Sequence, residues 1–127
     1  MKKYLSFLLP LLLLAGCKAP AEEVSYRQIT MDEAIAIMEE ETGYLILDVR
    51  TPEEFRDKHI PGAINIPNET IGTDEIPELP DKEQLILVYC RSGNRSKQAA
   101  EKLAALGYTN IAEFGGINDW PGETVSE

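Results

Sequence analysis

The sequence predicts an α/β fold: a small parallel β-sheet flanked by helices on both faces. Three observations predict it. Residues 44–49 (YLILDV) and 85–89 (LILVY) are nearly continuous apolar runs, as strands buried on both faces require. Segments with helical spacing of apolar residues stand before and after these runs. Strands alternating with helices favour a parallel sheet covered on both sides, whose ligands gather at the carboxyl ends of the strands.

The elements follow in order. Residues 26–29 suit a short edge strand. Thr30 with Glu33 forms a capping box, and Met31, Ala34, Ile35 and Met38 then fall on one helical face, with Gly43 at the stop. After the 44–49 strand, Thr51-Pro52-Glu53-Glu54 is a second capping box with proline at the first helical position, opening a short helix that ends near Lys58. Ile60-Pro61-Gly62 turns the chain into a short strand at 63–66. Residues 67–84 contain three prolines and read as loop, with Ile71, Ile76 and Leu79 docking on the core. Residues 85–89 form the most apolar strand, and Cys90–Arg95 a tight loop after it. Ser96 caps the next helix, whose inner face carries Ala99, Ala100, Leu103, Ala104 and Leu106 and which Gly107 closes. Residues 111–114 are a last strand, Gly115-Gly116 a turn, and Trp120 an apolar plug.

The first residues are a separate matter. Lys2 and Lys3 precede a 12-residue apolar run, Tyr4 to Ala15, too short for a bilayer, which needs roughly 20 apolar residues. The run contains Pro10 and ends at Leu14-Ala15-Gly16-Cys17. This is the layout of a secretory signal peptide. Leu-Ala-Gly-Cys resembles the bacterial lipoprotein processing box. That resemblance implies a signal peptide at 1–16, lipidation of Cys17, a lipidated tether at 17–25 and a domain at 26–127. The protein would face out of the cytoplasm. It would lie on the periplasmic side of an outer membrane (Lys18 resembles the outer-membrane sorting default) or on the outer face of a single membrane.

From Cys17 onward the chain has 111 residues, enough for one small core. It carries ten basic residues against 22 acidic ones, a net charge of −12. Such a surface disfavours nucleic acid and anionic lipid as partners, and a small anionic substrate needs a local positive site. Of the two cysteines, lipidation consumes Cys17, which leaves Cys90 as the free thiol. The carboxylates show no metal-ligand spacing, so no metal is expected.

Cys90-Arg91-Ser92-Gly93-Asn94-Arg95-Ser96 is where the chemistry points. The cysteine ends a buried strand and faces the start of a helix. Gly93 and Asn94 tolerate unusual backbone angles, so the loop curls and turns its N–H groups inward as an anion-binding nest. A helix N-terminus and Arg91, Arg95 and Lys97 add positive potential. Together these favour the thiolate form of Cys90 and would cradle a persulfide or an incoming oxyanion.

With Leu47-Asp48-Val49-Arg50, Glu54-Phe55, His59-Ile60-Pro61-Gly62-Ala63, the Cys90 loop, and Gly115-Gly116 with Trp120, the chain resembles the rhodanese-like single-domain sulfurtransferases from Tyr44 to Trp120. Lys58 departs from the family, which usually has glycine before the histidine. The resemblance implies a thiosulfate sulfurtransferase-like enzyme. Cys90 takes sulfane sulfur from thiosulfate or a related anion as a persulfide and passes it to cyanide, a thiol or a protein acceptor, with no cofactor. Arg91, Ser92, Gly93, Asn94, Arg95 and Arg50 are the candidate substrate-binding residues. Asp48, as a brace for the loop through Arg95 or in a plain ion pair, and Ser96 are the candidate supports. His59 reads as a structural turn residue. Competing readings are a noncatalytic or carrier module that binds a partner protein and a phosphatase or arsenate reductase, whose loops place five residues between cysteine and arginine where Arg91 to Asn94 supplies four. A thiol-redox protein is disfavoured because no second thiol resolves a disulfide.

Overall fold

The computed structural model describes residues 25–127. The signal peptide, Cys17 and all of the tether but Ser25 lie outside the described residues. Five strands form one parallel sheet: β1 (Arg27–Gln28), β2 (Leu45–Asp48), β3 (Ile64–Asn65), β4 (Ile86–Cys90) and β5 (Ile111–Gly116), in the order β1-β5-β4-β2-β3. Three helices join them: α1 (Met31–Glu40), α2 (Pro52–Asp57) and α3 (Asn94–Ala105). The expected α/β class and parallel sheet are what the chain forms.

β4 is central, and all five of its residues are buried. Its alternation divides the core. Val88 and Cys90 face a cluster built from Leu47, Val49, Ile71, Leu79 and the Ala99, Ala100, Leu103 and Ala104 face of α3. Leu87 and Tyr89 face a second cluster with Ala34 of α1, Ile46, Ala112 and Phe114. Helices therefore cover both faces, and each fully buried leucine or isoleucine contributes ~1.5–3 kcal/mol. Ile71, Ile76 and Leu79 of the proline-rich segment dock on the α3 side as expected.

Both capping boxes form. Thr30 Oγ1 accepts from Glu33 N–H at 3.0 Å while Glu33 Oε1 accepts from Thr30 N–H at 2.8 Å, and Thr51 and Glu54 repeat the pattern. Pro52 stands at the start of α2, where its missing N–H removes no hydrogen bond.

Several expectations are corrected. α1 ends at Glu40, before Gly43, and Ile37 rather than Ile35 joins Met31, Ala34 and Met38 on the core, on the side where α1 packs against β5. Strands 26–29 and 63–66 shorten to two paired residues each, since both lie at sheet edges. Gly115-Gly116 is no turn: both residues belong to β5, and Gly116 pairs with Cys90 after a register irregularity. α3 begins at Asn94 with Gly93 as its N-cap, so Ser96 is inside the first turn and does not cap it.

Candidate active site

The carboxyl end of β4 delivers Cys90 into a three-residue connection, Arg91 to Gly93, before α3 begins. Gly93 takes φ +119°, a region that strongly favours glycine, and this conformation folds the loop back over the cysteine. The Gly93 N–H then donates to Cys90 Sγ at 3.0 Å. The first N–H groups of α3 have no intrahelical acceptor and add the positive end of a 12-residue helix. Cys90 is a free cysteine and only 1% exposed, so the Gly93 N–H and a helix end replace the water that would otherwise solvate its sulfur.

β5 and the turn that follows it fix the loop from the other side. Asn118 N–H donates to the Arg91 carbonyl at 3.1 Å. Gly116 lies flat against Arg91 and Ser92, where no side chain fits: a methyl group there would stand 2.6 Å from Ser92 Cα and closer still to the Arg91 carbonyl. The glycine pair thus serves close backbone approach, and this is the physical reason for the strand irregularity at Cys90.

The expected site residues separate into two groups. Arg91, Ser92 and Asn94 are exposed around the loop, with Gly93 buried beneath. Beside them is a cleft of about 210 Å³ lined by Arg50, Glu54, Asp57, Lys58, Arg91 and Asn118. Arg95 and Arg50 are instead held by carboxylates. Arg95 donates through Nη1 and Nη2 to Glu54 at 2.8 and 3.1 Å. That pairing, assisted by Thr51, holds the Glu54 carboxyl at about 2, below its ordinary 4.5, against the opposing effect of burial. Arg50 is 3% exposed and donates through Nε and Nη2 to fully buried Asp48, and through Nη2 to the Lys58 carbonyl at 2.6 Å. Burial opposes the Arg50 charge, but the hydrogen bonds and charge of Asp48 raise its pKa.

Asp48 therefore does not brace the loop through Arg95; its partner is Arg50, two residues along the same strand end. Both guanidinium groups are thus engaged by carboxylates. The ring of His59 stacks on Phe55 at 3.7 Å, and its Nδ1 lies 2.7 Å from the Phe55 carbonyl, a structural position. Lys58 has φ −169°, extended backbone open to any residue, so the departure from glycine leaves the backbone unstrained.

One residue of the site was not singled out from the sequence. Glu113, 3% exposed in the middle of β5, reaches Ser96 Oγ with its Oε2 at 2.5 Å and accepts from Gly115 N–H at 3.0 Å. The available signal was a glutamate inside the apolar run IAEF of a strand expected to be buried.

Comparison with known proteins agrees with this geometry. Residues 30–123 match the rhodanese-like domain family. The chain is similar to thiosulfate sulfurtransferase PspE of Escherichia coli, 41% identical over 73 residues covering 58% of this chain and 70% of that one. It is also similar to thiosulfate sulfurtransferase GlpE of Pseudomonas syringae, 33% identical over 105 residues, 79% of this chain and 95% of that one. It spans about a quarter of the fungal adenylyltransferase and sulfurtransferase proteins it also matches. Among solved structures, a rhodanese with anions from E. coli aligns with TM-score 0.60 and 37% identity over 66% of this chain and 99% of that one.

Proposed function

The chain belongs to the rhodanese-like domain family, and from that premise we propose that it is a sulfurtransferase working through a persulfide on Cys90. The observation that carries this reading is the Gly93 N–H directed at Sγ from the N-terminal end of α3. A donor so placed stabilises an anionic sulfur, and the thiolate is the nucleophile. Sγ attacks the outer sulfur of thiosulfate or a related sulfane donor. The donor's S–S bond breaks with its electron pair on the departing sulfite, and Cys90 keeps the transferred sulfur as Cys–S–S⁻. A thiophilic acceptor such as cyanide, a thiol or a protein cysteine then takes the outer sulfur and returns the thiolate. Two displacements replace one harder transfer. Similarity to two thiosulfate sulfurtransferases supports the donor class. The exposed Arg91, Ser92 and Asn94 are the groups an incoming anion meets, while Arg50 and Arg95 maintain the walls through Asp48 and Glu54.

The test is intact mass after incubation with thiosulfate. The chain gains about 32 Da, one sulfur, and loses it on adding cyanide, whereas Cys90→Ser gains nothing. A folded chain that never takes up sulfur refutes transfer from thiosulfate and leaves the carrier or partner-binding reading.

From the sequence before residue 25 we also propose export and lipidation at Cys17, which puts the domain on an extracytoplasmic membrane surface. Expressed in a bacterium, the chain should partition with detergent and Cys17→Ser with the aqueous phase; identical partitioning of the two refutes the anchor.

A further inference from the structure

Below the cysteine, three side chains from three elements meet in the core: Cys90 at the end of β4, Ser96 in the first turn of α3 and Glu113 on β5. Ser96 is fully buried, Cys90 1% and Glu113 3% exposed. Ser96 Oγ lies 3.4 Å from Cys90 Sγ and 2.5 Å from Glu113 Oε2. The carbonyls of Gly93 and Gly115, at 3.0 and 3.4 Å, flank the same hydroxyl. No ion pair among the described residues involves Glu113, so a charge there has only the Ser96 hydroxyl and the Gly115 N–H to solvate it.

Two negative charges on Cys90 and Glu113, joined through one buried hydroxyl, would oppose each other. One proton shared between them satisfies every group in either arrangement. With the proton on sulfur, Cys90 S–H donates to Ser96 Oγ and Ser96 O–H donates to the Glu113 carboxylate. With the proton on Glu113, the carboxyl O–H donates to Ser96 Oγ and Ser96 O–H donates to the thiolate. The second arrangement is the one in which the Gly93 N–H meets an anion.

We propose that Glu113 is the positioning residue that receives the Cys90 proton through Ser96. The S–H bond breaks, its proton passes to Ser96 Oγ, and the Ser96 proton passes to Glu113 Oε2. The negative charge moves from oxygen to sulfur, and no net charge enters the core. Glu113 then stays protonated through sulfur uptake and release, since both displacements begin and end on anionic sulfur. The inference rests on Cys90 being the reacting thiol. The other groups that face this set are Arg95 of α3, already paired with Glu54, and Tyr26 beside β1, whose hydroxyl is kept protonated by burial first and by the nearby Glu101.

The test follows thiolate absorbance at about 240 nm across pH, as the difference between each protein and its own Cys90→Ser counterpart. In Glu113→Gln the amide keeps a hydrogen bond to Ser96 but accepts no proton. Its thiolate signal at neutral pH should fall about tenfold and return in full at alkaline pH, the signature of a displaced titration rather than a damaged site. Ser96→Ala removes the hydroxyl that donates to the thiolate and links it to Glu113, and should show the same displacement; it decides the matter if Glu113→Gln does not fold. Profiles that superimpose on the parent, or that are lowered equally at every pH, overturn the proposal. Thiosulfate loading of the parent is read separately by mass. A displaced profile without loading keeps the relay and removes sulfur transfer; loading without displacement does the reverse.

Discussion

Gly116→Ala isolates the packing of the site from its chemistry. Gly116 has φ −139°, extended backbone that alanine adopts freely, so the only change is one methyl group. That methyl would stand 2.6 Å from Ser92 Cα and nearer to the Arg91 carbonyl, whereas carbon atoms rest at about 3.5–4.0 Å. Both neighbours are backbone, and Asn118 N–H, just after β5, already fixes the Arg91 carbonyl, so no rotamer can yield. The loop must retreat by about 1 Å, which carries the Gly93 N–H away from Sγ. Forcing a methyl into such a contact costs about 1–3 kcal/mol of stability. A displacement of that size at the reacting atoms costs about 100-fold in rate. Urea unfolding and initial rates of thiocyanate formation from thiosulfate and cyanide measure the two effects. Gly72→Ala is the control, because nothing lies within 4 Å of its added methyl. If Gly116→Ala turns over within about twofold of the parent while folded, the contact between β5 and the loop does not hold the sulfur in place, and the assignment of the glycine pair fails.

Two further outcomes follow from the ion pairs. Glu54 is held at about 2 when folded against 4.5 ordinarily, so its contribution is full above 4.5 and is lost as pH falls toward 2. With both partners partly exposed, that contribution is about 1–2 kcal/mol after allowance for solvent screening. Glu54→Gln should therefore be less stable than the parent at neutral pH and show a shallower acid limb in urea midpoints; identical pH profiles contradict the pairing. Asp48→Ala leaves the Arg50 guanidinium buried without its carboxylate and should cost about 3–5 kcal/mol in urea unfolding, with a loss under 1 kcal/mol showing that Arg50 finds another partner.

Local pattern in the chain accounts for the sheet, the helices and the position of Cys90 at a strand end. Those features are written in neighbouring residues: unbroken apolar runs for β2 and β4, two four-residue capping boxes for α1 and α2, and a cysteine between a buried strand and a helix. The tertiary structure decided what distant residues do to one another. Glu54 serves its own helix cap, as its spacing indicated, but also takes Arg95 from 41 residues away and so engages a guanidinium that the sequence assigned to an incoming anion. Ser96 was placed at a helix cap on local pattern, yet Gly93 at φ +119° starts α3 earlier and leaves the serine inside the first turn, between Cys90 and Glu113. Gly115-Gly116 looked like a turn because glycine pairs usually are; only the approach of β5 to the 91–92 backbone shows why a side chain is excluded. Local order depends on contacts within a few residues, which a sequence displays directly. A buried polar set depends on which strands become neighbours, and that is set by the packing of the whole sheet.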